Sequence, residues 1–556
     1  MSINKTSVIL LTSLLSLSAL SASAAPPSQQ EQLDQSRAQE AERQERMNKE
    51  RAEVVAPPPP SSELPADEGV RFRISHVTVE HQTERFRFLE RVARPYEGRE
   101  LSLREINELV TAMNRTLMSR GFSTSRIAVP EQNLSSGELR LVLLVGYIHA
   151  VRFADDSAVI YWKNLFPFRE GDVLNVRDIE QGIEQAKRLP SQDISVRLLP
   201  ADEPQMTDIE LTVKRGKNIY GTISFDDSGL EDTGKLQWYA SLGIDQLFHK
   251  NDMLRIGLNL DSAQDGYEKG TRGHNISYTY PYGRHTFSLS YQRSKYHQTV
   301  ASMPYDFISA GDTNISTLSW DYVLSRSANR KTSMDIRLRK RNSHRFLNDV
   351  ELPIQAMHQT SMEVGLAERL YLKRDTLYFR LAHRFGLGWM GAQEESPYED
   401  VPRTRYRMWL LDADYVHPFE FSHRPATFTT SFHGQWTMDG MELYGTDMIS
   451  MGNRYTVRGF DGEVTLMGTD GWYLRNEFAT RFPKQKLEVY LGLDVGAVYG
   501  AGADLYNGHT IAGAALGVRG MIDALSYDVF AAMPIRKPDG FHTAKVTGGF
   551  SLGWKF

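Results

Sequence analysis

From residue 218 onward, apolar side chains recur at every second position. In Leu487 to Tyr499, residues Leu487, Val489, Leu491, Leu493, Val495 and Ala497 share one face; Glu488, Tyr490, Gly492, Asp494 and Gly496 share the other. Thr286 to Gln292 sets Phe287, Leu289 and Tyr291 against polar neighbours, and Ser333 to Arg339 sets Met334, Ile336 and Leu338 against Ser333, Asp335, Arg337 and Arg339. Trp472, Leu474 and Phe478 alternate with Tyr473, Arg475 and Glu477. The last strand places Val546, Gly548, Phe550, Leu552, Trp554 and Phe556 on one side. One wet and one apolar face suits a membrane barrel with a polar interior, and also a soluble sandwich. The span of about 340 residues and the closing aromatic strand favour the barrel; at about 20–22 residues per strand with its connection it holds roughly 16 strands.

The period changes upstream. Residues 70–147 and 148–215 each read as strand, helix, helix, strand, strand, a tandem repeat of about 70–75 residues. In the first, Phe72 to Val79 is a strand whose alternation slips once midway, and Ser102 to Glu105 is a capping box. Ile106, Leu109, Val110, Met113 and Leu117 form a helical stripe that Gly121 terminates, followed by strands at Thr124 to Val129 and Glu138 to Val145. In the second, Ser157 to Leu165 reads as a helix. Asn175 to Asp178 is a weaker capping box before Ile179, Ile183 and Ala186, and Ile194 to Leu199 and Thr207 to Val213 close the unit.

Gln29 to Glu53 is a third kind of segment, rich in helix formers and charge, with only Leu33 and Met47 large and apolar. Glu42/Arg46 and Glu45/Lys49 have the spacing of intrahelical pairs. Such a helix has no face for an ordinary core. It is either a solvated tail or a polar rod in a wet lumen. Residues 54–69, with Pro57 to Pro60, make a semi-rigid linker.

Composition supplies the address. Lys5, the apolar run Val8 to Leu20 and Ala22-Ser23-Ala24 make residues 1–24 a secretory signal. The 556 residues include no cysteine, which suits an oxidising compartment. No later stretch has about 18 consecutive apolar residues, so a membrane-spanning role requires a barrel. The net charge of −5 in a chain this long argues neither for nor against a nucleic-acid partner.

The candidate site joins two segments. Asn453 to Glu463 carries Arg454 and Arg458, the latter between Val457 and Gly459, before Phe460. Asp494 lies on the polar face of its strand between Gly492 and Gly496, which leave a hollow where an arginine from another segment could dock as a bidentate pair.

Together these residues resemble the two-partner secretion transporters of the haemolysin secretion and activation type. Val457 to Phe460 matches that family's V-R-G-Y/F loop, and Gly492 to Gly496 its G/F-x-D-x-G strand. Ser136 to Leu141 is similar to its S-G-x-L-x-L, and Leu174 to Gly182, Arg188 to Ser191, Tyr280 to Gly283 and Ser325 to Ser333 are close to its wording. Pro200 to Asp208 departs, lacking the glycines usual after the prolines. The resemblance implies a mostly β protein. Its parts would be a 16-stranded transmembrane barrel over 216–556, two periplasmic polypeptide-transport-associated (POTRA) modules over 70–147 and 148–215, and a plug helix within 25–53. The loop near 453–463 would fold inward so that Arg458 meets Asp494, as a gate or a strut, and Phe556 would be the C-terminal signal for barrel insertion.

The implied function is passage of a large unfolded exoprotein, recognised through its N-terminal secretion domain, across the outer membrane without ATP. No cofactor or metal is implied. The implied partners are the exoprotein, outer-membrane lipid and the barrel-insertion machinery. An outer-membrane protein assembly factor is the alternative, although such factors usually carry more periplasmic modules. The 15 histidines form no H-E-x-x-H and no hydrolase motif is present, so an enzyme is not expected.

Overall fold

The computed structural model describes residues 29–47 and 69–556, apart from 264, 265, 267, 302, 304, 397–400 and 439. The signal at 1–24 and most of the linker at 54–69 lie outside them. Among the described residues sixteen long antiparallel strands close a barrel, the first (Ile219–Asp226) pairing with the last (Thr547–Lys555). A two-residue strand, Val350–Glu351, only extends one hairpin. Closure pairs the backbone groups of every strand, which the hydrocarbon of a bilayer demands. No described helix is long and apolar enough to cross a membrane.

The period of two maps onto inside and outside. On strand Leu487–Tyr499, Leu491 and Leu493 are exposed while Tyr490, Gly492, Asp494 and Gly496 are buried. Val546, Leu552, Trp554 and Phe556 are exposed on the outer face. Phe556 seals the seam through its backbone: its N–H donates to the Gly221 carbonyl and its carbonyl accepts from the Gly221 N–H, both at 3.1 Å.

Each small unit builds the same three-stranded sheet. His76–Glu80 lies parallel to Glu138–Leu144, which pairs antiparallel with Arg126–Ala128; Tyr147–Phe153 lies parallel to Met206–Arg215, which pairs antiparallel with Gln192–Pro200. Four α-helices are described: α1 (Gln29–Met47), α2 (Phe88–Ala93), α3 (Leu103–Ser119) and α4 (Val176–Lys187). The Ser102–Glu105 capping box forms in full at α3, whose Ile106, Leu109, Met113 and Leu117 are buried. At α4, Asn175 caps the Arg177 N–H without the reciprocal bond.

Two expectations need correction. The segment 72–79 is two strands, Arg71–Ile74 and His76–Glu80, in different sheets; the slip in alternation marks the break at Ser75. Residues 157–165 form no α-helix, only a 3-10 turn at Trp162–Asn164. The segment is tied to strand Met206–Arg215 instead: the Ala158 N–H donates to the Val213 carbonyl, and the Val213 N–H donates to the Ser157 hydroxyl. The turn after Pro200 manages without glycine because Gln205 takes the left-handed conformation, at φ 64°.

Module 2 (residues 148–215) docks through α4 on the barrel's periplasmic turns. Gln181 and Gln185 donate to the Gly283 carbonyl, and Asp178 pairs with Arg284 at 2.6 Å. Glu184 bonds both Arg326 and Lys331. Burial pushes the Glu184 carboxyl up, but the Lys331 and Arg326 cations outweigh it and hold the group well below the usual carboxylate range. A depressed carboxyl contributes docking stability that is present above its free pKa, about 4.3, and is lost as pH falls through the docked value. Spin-label distances between module 2 and the barrel should therefore broaden as pH drops below about 4. Glu184→Gln should show the broader distribution at neutral pH and little further change.

Candidate functional site

The loop between strands Arg424–Thr437 and Asp470–Phe482 starts at the barrel end away from the modules and turns into the lumen. Its stem is a hairpin of Ile449–Met451 with Leu466–Gly468. At its head the Asn453 carboxamide oxygen accepts from the Tyr455 and Thr456 N–H groups, forming an Asx turn. Val457 and Phe460 anchor the loop in an apolar cluster with Met451, Ile511 and Phe541. Gly459 sits at φ +105°, with the Met533 carbonyl where a side chain would go, so the position requires glycine.

Arg458 meets Asp494 as the sequence suggests. Nε donates to Oδ2 at 2.7 Å and Nη2 to Oδ1 at 2.8 Å, and the Arg458 backbone N–H reaches the same carboxylate at 3.0 Å. The Asp494 side chain has 0% exposure and that of Arg458 has 7%. The guanidinium lies over Gly492, occupying the space a Cβ would take; Gly496 faces the Met451 sulfur from the hairpin stem. Arg458 does more than pair once: Nη1 donates to Glu477 at 2.7 Å and Nη2 to the Asn476 carbonyl at 3.0 Å. A desolvated guanidinium needs several acceptors, and here its fork is largely filled.

Glu477 was a missed partner. It shares the inward face with Arg475 and stands opposite Gly492 in the register, so the two charges on one lumenal face were the available signal. Arg454, the second arginine of the loop, pairs with Asp227 at 2.7 Å.

Helix α1 occupies the lumen beside this loop, and its buried residues are mostly polar: Gln30, Glu31, Gln32, Ser36 and Glu40, with Leu33. Glu31 accepts from Arg345 at 2.5 Å and from the Thr313 hydroxyl at 2.7 Å; Glu40 pairs with Arg475 at 2.9 Å and Glu42 with Arg337 at 3.0 Å. Arg46 turns to Asp414 and Asp412. The expected Glu42–Arg46 pairing along the helix thus gives way to wall partners, and Lys49 lies outside the described residues. The loop also grips the helix: Asn453 donates to the Ser36 hydroxyl at 3.2 Å, Arg37 to the Tyr455 hydroxyl at 3.3 Å, and Thr465 to Gln32. Arg475 joins both, giving Nη1 to Glu40 and to the Tyr455 carbonyl at 2.6 Å. A cavity of about 560 Å³ remains between α1 and the wall near Arg458, Glu477 and Asp528. Among the described residues no cluster of histidine and carboxylate side chains could hold a metal ion.

Comparison with known proteins fits this geometry. The family model for the haemolysin secretion/activation protein ShlB/FhaC/HecB matches residues 205–520, more than half of the chain. The chain belongs to that family. A POTRA domain model matches 147–200, and a ShlB-type POTRA model matches 72–146. The outer membrane transporter CdiB-2 of Burkholderia pseudomallei strain 1026b is 39% identical over 478 residues, covering 85% of this chain and 82% of its own. The hemolysin transporter protein ShlB of Serratia marcescens is 26% identical over 408 residues, covering 72% and 70%. The solved structure of CdiB from Escherichia coli superposes with a TM-score of 0.86 at 26% identity, covering 96% of this chain and all of that one. This ShlB-family protein is thus an outer-membrane transporter of two-partner secretion, with its POTRA modules in the periplasm.

Proposed function

We propose that this transporter carries one large, unfolded exoprotein of the haemolysin, adhesin or contact-dependent toxin type, recognised in the periplasm through its N-terminal secretion domain. The observation that carries the reading is the character of the lumen's contents. A charged helix and an inward loop fill it, and the helix is held by ion pairs and amide contacts with little apolar packing. A rod bound this way can leave without exposing an apolar face to water. A lumen that admits a helix about 10–12 Å across also admits an extended chain with its side chains. The POTRA modules capture the client, α1 withdraws, the chain crosses extended, and folding outside supplies direction without ATP. Arg458 and Asp494 hold the loop at the wall as its gate. Lipid surrounds the barrel, and the barrel-insertion machinery reads the C-terminal strand ending at Phe556.

The test compares surface and secreted proteins of cells with and without this chain. Loss of one very large protein, with other outer-membrane proteins unchanged, supports the reading. A broad fall in many barrel proteins would make the protein an assembly factor instead.

A further inference from the structure

Four exposed apolar side chains gather at one side of the periplasmic rim. Val159 (69% exposed) and Tyr161 (42%) belong to module 2, whereas Leu247 (43%) and Phe248 (62%) belong to the barrel turn between strands Gln237–Asp245 and Met253–Asp261. They are held as one surface. Asn251 Nδ2 donates to the Tyr161 carbonyl at 2.9 Å, Asn164 donates to the Lys250 carbonyl, and the Lys250 ammonium sits 3.3 Å from the centre of the Tyr161 ring. The irregular stretch 157–161 that follows the turn at 155–156 sets the pattern: Ile160 is buried at 5%, while its neighbours on both sides face out.

The surface continues the barrel's outer face. The Phe248 ring meets Tyr278 edge-on at 5.9 Å. Tyr278 lies on strand Lys269–Tyr282 with the parity of Ile276 and Tyr282, which are 42% and 54% exposed on the lipid side. Cations flank the patch at Lys163, exposed, and Lys250, while the turn's own carboxylate, Asp252, is engaged with the Phe248 and Lys250 N–H groups.

We propose that residues 159–163 and 246–250 form a foot by which module 2 rests in the phospholipid headgroup layer of the periplasmic leaflet. Aromatic and aliphatic groups at the level of a barrel's rim are suited to that layer, and the lysine ammonium groups reach headgroup phosphates. A protein partner would have no reason to be continuous with the lipid face. The foot fixes the tilt of module 2 against the membrane plane, independently of the docking bonds of α4.

The cysteine-free chain allows a direct test. Val159→Cys, Phe248→Cys and, as a remote control on module 2, Arg197→Cys are each labelled with an environment-sensitive fluorophore in the full-length protein. The protein is placed in nanodiscs of phosphatidylethanolamine and phosphatidylglycerol. The foot predicts several-fold stronger quenching by spin-labelled lipid at positions 159 and 248 than at 197, with protection from aqueous iodide. Iodide quenching at 159 equal to that at 197, with no lipid quenching, overturns the proposal. Lipid quenching at 248 alone overturns it too, since only the barrel turn then touches the bilayer. Protection of 159 from iodide without lipid quenching indicates burial against protein and also overturns it.

Discussion

Arg458→Ala is expected to stop secretion while the barrel continues to accumulate in the outer membrane. The substitution removes three donors from Asp494 and Glu477 and leaves a fully buried carboxylate without its cation, held only by the backbone N–H groups of residue 458 and Asn476. Breaking a buried pair in this way costs about 3–5 kcal/mol. That cost falls on the loop, because the strand bearing Asp494 is independently secured by ladders on both sides. The loop should leave the wall, and the lumen lose the geometry that admits a client. Heat-modifiable mobility on gels reports the folded barrel, and the amount of exoprotein outside the cell reports transport. Arg458→Lys should rescue little, since a single ammonium cannot replace a fork that serves Asp494, Glu477 and the Asn476 carbonyl. If the barrel itself fails to accumulate, the pair is a strut and the gating role is withdrawn.

Tethering α1 in place should be equally severe. Glu42 and Arg337 meet at the lumen wall at 3.0 Å, one on the helix and one on strand Arg330–Leu347. Cysteines at both positions, joined by a cleavable bis-methanethiosulfonate of matching length, fix the helix without touching the loop. Secretion should fall to background on joining and return on reduction, and either single cysteine should behave as the unmodified chain does. Undiminished secretion with the link intact would show that the client passes without helix withdrawal.

Much of this architecture was legible because a period of two tolerates no slip when one side meets lipid and the other water. The inward position of Asp494 followed from parity alone, and the Ser102–Glu105 box fixed the start of α3. The misreading at 157–165 has a physical source. A short apolar run is ambiguous between periods, and here strand Met206–Arg215 claimed the Ala158 N–H and the Ser157 hydroxyl, a long-range contact no local pattern shows. The partners of α1 were hidden for the same reason. Glu42 and Arg46 have ideal spacing for each other, yet Arg337 and Asp414 lie about 300 or more residues away and outcompete them. At the Arg458–Asp494 contact, the bidentate pair could be inferred from the hollow beside Asp494, whereas Glu477 and the Asn476 carbonyl required the register between two strands.

The grip of Asn453, Tyr455 and Thr465 on α1, with Arg475 shared between helix and loop, makes the two obstructions thermodynamically linked. Whatever free energy the loop lends to the helix, the helix returns to the loop, because coupling between two bound elements is reciprocal. Departure of either therefore lowers the cost of moving the other. Once α1 leaves, the loop keeps its hold on the wall through Arg458 but loses the support of Ser36, Arg37 and Gln32.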